Sequence, residues 1–424
     1  MIKKSFLFLF FSFCLQVTFA QKTTIVSLEI VGQDKIKTSY LKKIITTKQG
    51  EVLDSVKLNQ DITFLKRLPA VSHAYFKVNR LSSSKSHVKI GIEENFTLLP
   101  SLNFWTTTNK QFAYKLGLYE YNFLGNNTTF GGFYQNNGFH SYGFTYRAPN
   151  LFSKKWGLAI SFKDWKSEEP LYFGEKTANY LYNNTSVELL GLYQLNLKHR
   201  IDFGISFFSE KYKYLSGETA AGVPLALDLD KKLLKLVYQY NGLDYYYQYV
   251  SGFKSVLYAQ YVTTQNDFQN DFLIAWNDFF YYKRIGAKGN WANKLRLGIA
   301  SNENSPFAPF ALDNNVNIRG VGILVDRGTG VAVLNSEYRH TVYDKKWLAI
   351  QTNIFTDAGT WREPGGQLSD LFKKEKLRVF SGIGLRFISK KIYNATFRID
   401  YGFKVYDVRN TTKGGLVFGL GQYF

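Results

Sequence analysis

From about Leu99 to Phe424, apolar residues alternate with polar or small residues, in segments of roughly 8–13 residues separated by Asn, Gly, Asp and Lys turns. The segment 395–403 shows the pattern clearly, with Phe397, Ile399, Tyr401 and Phe403 on one face and Arg398, Asp400 and Gly402 on the other. About sixteen such strands are predicted. Because nearly every strand has an apolar face and no helical layer remains to cover it, lipid is the expected cover. The pattern therefore predicts a mainly β protein whose residues 96–424 form an antiparallel transmembrane β-barrel.

The connections between these strands predict which end of the barrel carries the large loops. An even number of strands brings both ends of the barrel segment to the same side, next to the N-terminal residues. Long loops are expected on the opposite, outer face, near residues 166–184, 214–231, 302–329 and 358–376. The loop at about 302–329 is too long for a plain connection and is a candidate functional loop.

Residues 21–95 follow a different pattern, with two helices between strands. The periodicity predicts a strand from Thr24 to Ile30, helices at Thr38–Ile45 and Val56–Leu68, and strands at Val71–Val78 and His87–Glu93. Ser39 is a possible helix cap. The order β-α-α-β-β, in about 75 residues, is enough for one small two-layer α+β domain.

Residues 1–20 have the composition of an export signal. Lys3 and Lys4 precede an apolar run, and Thr18-Phe19-Ala20 resembles a cleavage site, which predicts a mature chain beginning at Gln21. Cys14 is the sole cysteine and leaves a lipoprotein signal as the alternative reading. Its removal would exclude a disulfide framework or a thiolate metal site.

The net charge and the candidate chemistry limit the binding partners and the activities that we expect. The formal net charge is +20, but the basic residues are spread along the chain, so anionic lipid headgroups are a simpler partner than nucleic acid. The five histidines form no visible nucleophile–base arrangement or metal-ligand spacing, and no phosphate loop or dinucleotide fingerprint is present. We therefore expect no enzymatic activity, no metal and no cofactor.

Three short motifs fall in order in the last quarter of the chain. Ile318-Arg319-Gly320 lies in the long loop, Glu337 lies on the next strand, and Phe355-x-Asp357-x-Gly359 lies one strand later. The strand from Leu416 to Phe424 ends on an aromatic residue, with Leu416, Phe418, Leu420 and Phe424 predicted on one face.

In this combination the chain resembles the BamA/TamA superfamily of outer-membrane assembly and translocation proteins. The N-terminal order resembles a POTRA domain, the periplasmic module of that superfamily. Ile318-Arg319-Gly320 resembles its Val-Arg-Gly-aromatic motif in a loop that folds into the lumen, with Val321 replacing the aromatic residue. Glu337 and the Phe355–Gly359 segment resemble its next two motifs, and the last strand, Leu416 to Phe424 with Leu420 and Phe424 on one face, resembles its C-terminal assembly signal.

The resemblance implies that Arg319 pairs with Asp357 and Glu337 inside the barrel of a bacterial outer-membrane protein, with the N-terminal domain in the periplasm. A guanidinium can bind a carboxylate through two hydrogen bonds, and Gly320 would let the backbone approach the wall closely.

The implied function is insertion, assembly or translocation of client proteins, which would be unfolded outer-membrane or secreted proteins. Clients would be delivered by the POTRA-like domain, and a seam between the first and last strands would open. A dedicated two-partner-type secretion pore and a passive diffusion channel remain as alternatives.

Overall fold

The computed structural model describes residues 23–106, 112–173, 176–264, 270–302, 309–312, 317–321, 326–393, 395–407, 413–421 and 424. The predicted signal peptide, 1–20, and the predicted mature start at Gln21 lie outside the described residues. Within these ranges, no helix is both long enough and apolar enough to cross a membrane.

The N-terminal unit has the predicted β-α-α-β-β order. Its elements are β1 (Thr24–Val31), α1 (Thr38–Ile44), α2 (Ser55–Leu65), β2 (Val71–Arg80) and β3 (Lys85–Glu94). The sheet order is β1-β3-β2, with β1 parallel and β2 antiparallel to β3. The helices cover one face of this sheet through a single apolar core.

Side-chain hydrogen bonds fix the ends of the helices. The Asp54 carboxylate caps α2 by accepting from the backbone N–H groups of Val56 and Lys57. Helix α1 has Lys37 at its N-cap and no side-chain cap, so the prediction of Ser39 as a cap was wrong. Asp61 is buried in α2, and its carboxylate accepts from the backbone N–H groups of residues 46 and 47, at 2.9 Å each, and from one threonine hydroxyl at 2.8 Å. This carboxylate joins α2 to the segment that follows α1.

The rest of the described chain forms a closed antiparallel barrel of sixteen long strands. These strands are β4 (Leu98–Thr106), β5 (Phe112–Phe123), β6 (Thr128–Asn136), β7 (His140–Ala148), β8 (Trp156–Phe173), β9 (Lys176–Gln194), β10 (His199–Gly217), β11 (Ala226–Asn241), β13 (Tyr249–Thr264), β14 (Phe272–Ile285), β15 (Gly289–Ala300), β18 (Gly330–Asp344), β19 (Leu348–Arg362), β20 (Arg378–Ser389), β21 (Thr396–Asp407) and β22 (Gly414–Leu420). Short strands β12 (Asp244–Tyr246), β16 (Phe310–Leu312) and β17 (Asp326–Gly328) lie in connections, and two 3-10 helices, Leu368–Phe372 and Lys374–Lys376, follow β19.

The two faces of the barrel wall differ as the alternation predicts. On β21, Phe397, Tyr401 and Phe403 are exposed on the outside, whereas Arg398 and Asp400 are buried in the lumen. Exposed apolar side chains recur on the outer face of every sector of the barrel, for example Leu189, Leu236 and Ile383. An apolar exterior around a charged interior is the arrangement expected of a barrel surrounded by lipid.

Two of the predicted outer loops proved to be largely strand. Residues 166–184 lie in the long hairpin of β8 and β9, and residues 214–231 narrow to a connection at 218–225 between β10 and β11. The segment Lys166–Glu169 is wholly polar and interrupts the alternation of β8, whereas 226–230 of β11 alternates but lay inside a predicted loop. The backbone pairing nevertheless continues across them, so the sequence pattern underestimated the strand lengths.

The N-terminal unit contacts one end of the barrel, which we call the near end; the opposite end is the far end. The Arg67 guanidinium donates to the carbonyl oxygens of Leu243, at 2.8 and 3.0 Å, and of Leu197, at 2.8 Å. The Tyr40 hydroxyl donates to Asn150 Oδ1 at 3.0 Å in a buried contact. Three separate turns of the barrel therefore hold this unit.

The connection between β11 and β13 is central to this contact. The ring of Tyr247 stacks on His73, with centroids 5.2 Å apart, and its hydroxyl donates to Glu93 at 3.3 Å. On its other side, Leu243 is buried within the barrel against the lumen-facing Tyr282. This connection touches both the N-terminal unit and the lumen.

Candidate functional site in the barrel lumen

The loop between β15 and β18 enters the lumen and is fastened to its wall. The strands β16 and β17 pair with each other within this loop. The side chains of Ile318 and Val321 are fully buried, in an apolar cluster whose other members are Leu312, Val331, Val333, Trp361 and Phe380. Val321 thus fills its site on the wall by aliphatic packing, without the aromatic ring that the resemblance implied.

The loop places Arg319 against two carboxylates. Its guanidinium binds Asp357 through two hydrogen bonds, from Nε to Oδ2 at 2.8 Å and from Nη2 to Oδ1 at 2.9 Å. The backbone N–H of Arg319 donates to the same Oδ2 at 3.0 Å. Nη1 donates to Glu337 Oε2 at 2.5 Å. All three side chains are buried, and the two carboxylates neutralise the charge of the guanidinium from two sides.

Aromatic and glycine residues of the motifs shape the space around this arginine. The Phe355 ring lies under the guanidinium, with Cζ 3.6 Å from its centroid, in a cation–π contact. Gly320 has a φ of +88°, and a Cβ there would lie 2.6 Å from a backbone oxygen of Gly402. A Cβ on Gly359 would lie 2.6 Å from the Ile318 side chain. Both glycines permit the loop to approach the wall.

The charged network extends beyond the residues that the motifs identified. Arg386 donates to Glu337 Oε2 at 2.6 Å and lies 3.3 Å from Asp400 Oδ1. Arg398 contacts Asp400 at 3.1 Å, and Arg339 binds the second oxygen of Glu337. The sequence signal for these residues is their place on the charged face of β18, β20 and β21. Only the fold shows that these three strands bring them to one cluster.

This lumen cluster contains four arginines and three acids, namely Arg319, Arg339, Arg386, Arg398, Glu337, Asp357 and Asp400. Each is buried. A buried charge is tolerated only when partners and hydrogen bonds replace its water, and removal of one partner typically costs about 3–5 kcal/mol. The cluster therefore binds the loop to β18 and β19 and, through Arg386 and Asp400, to β20 and β21.

The last described residue turns away from the lipid face. Leu420, the last residue of β22, is exposed on the outside, and Gly421 follows with a φ of +91°. Phe424 instead packs with Leu243, and its carbonyl oxygen accepts from Arg339 Nη2 at 3.3 Å. The prediction that Phe424 shares the outer face of Leu420 was therefore wrong, because β22 ends at Leu420 and its alternation does not extend to residue 424.

Comparison with known proteins identifies the fold. No protein-family model matches the chain, and no curated protein matches it in sequence. Among solved structures, CdiB from Escherichia coli aligns over 94% of this chain and 75% of its own, with 11% identity and a TM-score of 0.62. CdiB from Acinetobacter baumannii covers 94% of this chain and 73% of its own, with 13% identity and a TM-score of 0.59.

A structure of BamA from Haemophilus ducreyi lacking POTRA domains 1–3 aligns over 94% of this chain and 84% of its own, with 14% identity and a TM-score of 0.57. At these identities the likeness establishes the fold. The chain has the fold of these BamA and CdiB structures, with one small N-terminal α+β unit preceding sixteen long barrel strands in the described residues.

Proposed function

We propose that this chain acts in the bacterial outer membrane in the insertion, assembly or translocation of client proteins. The observation that carries the proposal is the lumen loop bound by Arg319 to Asp357 and Glu337 in a fold shared with BamA and CdiB. Ionisable residues held within a membrane protein are costly and mark functional pathways more often than simple support.

The N-terminal unit is suited to deliver a client to the barrel. We place this unit in the periplasm, at residues 21–95, with the barrel at 96–424. Its hydrogen bonds to the turns at Leu197 and Leu243 hold it at the near-end mouth. An extended client bound on this unit would be positioned at the barrel entrance.

The seam between β4 and β22 is the proposed exit into the membrane. β22 pairs with β21 over only seven residues, and Gly414 at its start has a φ of +140°. Glycine weakens a strand because it contributes no side-chain packing and loses more entropy on ordering. Phe96, just before β4, forms backbone hydrogen bonds with Lys391 and Tyr393 on the β20–β21 turn. Opening of the seam would expose a strand edge that an incoming client strand could pair with.

Locking the seam tests this mechanism. Cysteines would be introduced in pairs at positions 98–102 of β4 and 416–420 of β22, since Cys14 is the sole native cysteine. As a matched control, cysteines would replace Ser381 and Phe403, which are register partners on β20 and β21. We expect oxidation of the seam pair to abolish client handling and oxidation of the control pair to leave it intact. Full activity of a locked seam would refute lateral opening.

Depletion of the protein followed by proteomics of the outer membrane and the culture medium would identify the client class. Loss of many barrel proteins is the result expected for an assembly role. Loss of one secreted protein would favour the dedicated secretion pore, an alternative supported by the likeness to CdiB. An unchanged proteome would contradict both and favour a passive channel.

A further inference from the structure

A second group of charges lies on the lumen wall apart from the arginine cluster. It comprises Arg147 on β7, Arg200 and Asp202 on β10, Lys254 on β13, Asp278 on β14, and Lys294 and Arg296 on β15, and we call it the cationic wall. The strands from β10 to β15 follow one another in the barrel wall, and Arg147 of β7 contacts Asp202 of β10. None of its residues belongs to the motifs discussed above.

The strand register arranges the cationic wall in two rows. Lys254 pairs with Phe280, and Phe280 pairs with Lys294, so the two lysines flank one phenylalanine across three strands. At the usual strand spacing their Cα atoms are about 10 Å apart. In the adjacent row, Asp278 and Arg296 are direct partners. The Lys254 ammonium lies 5.1 Å from the centroid of the Phe280 ring.

The acids of the wall are already occupied by arginines. Asp278 receives two hydrogen bonds from Arg296, each 2.6 Å long. Asp202 is shared between Arg147, at 2.7 Å, and Arg200, at 3.1 Å. The wall therefore holds five cations and two anions, a local excess of three positive charges.

The two lysines carry most of this excess. In the part of the chain that the structure describes, neither the Lys254 nor the Lys294 ammonium has a carboxylate within salt-bridge distance. Lys294 is only 7% exposed. The carboxylates that act on it through space, Asp278 and Asp357, are each bound by an arginine, Arg296 and Arg319 respectively. A cation so far removed from water, without a partner, is expensive.

The wall is also connected to the lumen loop. Arg296 Nη1 lies 3.5 Å from Asn317 Oδ1, two residues before Arg319. Beyond the Asp278–Arg296 row, Tyr258 stacks on Trp276 with centroids 4.5 Å apart. A ligand at the lysines would therefore lie beside the Asp278–Arg296 pair, which contacts the fastened loop.

We propose that Lys254 and Lys294, supported by Arg200, bind an oxyanion in the lumen. The ligand would be a carboxylate or phosphate group, since these groups accept charge-assisted hydrogen bonds from ammonium and guanidinium donors. Rings of lysine and arginine select anions in other pores by the same electrostatics. The site does not depend on the proposed client activity, and a barrel of any function could hold it. The oxyanion could come from a small soluble anion or from the acidic side chain of a polypeptide.

Calorimetric titration of the full chain in detergent micelles tests the site. Inorganic pyrophosphate is the probe for a soluble anion, and a hexa-aspartate peptide is the probe for a polypeptide. The variant carries Lys254→Gln and Lys294→Gln together. Lys232→Gln is the matched control, because Lys232 is an exposed lysine with its side chain on the outer face of the neighbouring strand β11. A further variant with both lysines replaced by arginine retains the charge.

We expect the wild type, the control and the arginine variant to bind at least one probe, and the glutamine variant to bind it at least about tenfold more weakly. Added potassium chloride should weaken binding, since it screens the attraction. Binding of pyrophosphate alone would assign the site to a small anion, whereas competition by the peptide would assign it to acidic polypeptide. The proposal is overturned if the wild type binds neither probe, or if the glutamine variant binds as tightly as the control.

Discussion

Replacement of Asp357 by asparagine tests how strongly the lumen loop is fastened. The substitution preserves the shape of the side chain but removes its charge, and its amide N–H₂ group would face guanidinium donors. Two hydrogen bonds, at 2.8 and 2.9 Å, lose their ionised acceptor. Each bond to a charged group contributes about 1.5–3 kcal/mol. Arg319 keeps Glu337, but the lumen cluster changes from four cations and three anions to four cations and two.

We therefore expect Asp357→Asn to destabilise the closed loop by about 3–5 kcal/mol, the usual cost of removing one member of a buried ion pair. Urea unfolding of the reconstituted barrel, followed by tryptophan fluorescence, measures global stability. Limited proteolysis within residues 302–329 measures opening of the loop alone. The double variant Arg319→Met/Asp357→Asn should be at least as stable as the less stable of the two single variants, because it removes both members of the ion pair and leaves neither charge alone.

Asp344→Asn is the control for this experiment. Asp344 forms an ion pair with Lys390 at a half-exposed turn, so its loss should cost less than about 1 kcal/mol. A loss of less than about 1 kcal/mol for Asp357→Asn, with proteolysis unchanged, would show that the pair does not hold the loop.

Three further substitutions test other parts of the structure. Gly320→Ala should expose the loop to protease, because the added Cβ would collide with the β21 backbone. The control Gly286→Ala, at a φ of +58° with open space around it, should lower the free energy of unfolding by only about 1 kcal/mol. Equal effects of the two variants would refute the steric argument. Asp61→Ala should lower the free energy of unfolding of the N-terminal unit by about 2–4 kcal/mol, since three hydrogen-bond donors lose their acceptor. A urea titration followed by circular dichroism measures this loss, and an unchanged midpoint would contradict the prediction. Burial lowers the pKa of His73, which stacks on Tyr247. The contact of the N-terminal unit should therefore be retained above the ordinary pKa of about 6.5 and weaken as the pH falls below it. A spin-label distance across the contact should show this dependence in the wild type and lose it in His73→Phe; a dependence that persists in the variant would exclude this histidine as its source.

The sequence was most informative where a physical constraint acts along the whole strand. Alternation on segments such as 395–403 predicts a lipid-facing and a lumen-facing side, and the structure shows both on β21. The N-terminal order was equally predictable, because Leu58 and Leu65 recur at helical spacing and both are fully buried. These features follow from local periodicity and need no knowledge of which strands are neighbours.

The remaining features depend on contacts between distant strands. Arg386 and Asp400 join the lumen cluster only because β20 and β21 follow β19 in the closed ring. Their charges were visible in the sequence, and the resemblance implied a loop inside the lumen, but no motif paired these two residues with that loop. The position of Phe424 could not be predicted from strand periodicity, because β22 ends at Leu420 and Phe424 contacts Arg339 and the Leu243 cluster instead.

The unequal strand lengths give the far end an uneven rim. Strands β8 to β10 contain 18 or 19 residues, whereas β6 and β7 contain nine each. A 19-residue strand is about 65 Å long, which at a tilt near 45° rises about 45 Å, roughly 20 Å more than the apolar band of such a barrel. The paired strands β8 to β10 therefore extend the barrel wall well beyond the apolar band, whereas β6 and β7, at nine residues each, are about long enough to span it. A large protein that approaches the far mouth would meet this extended sheet first.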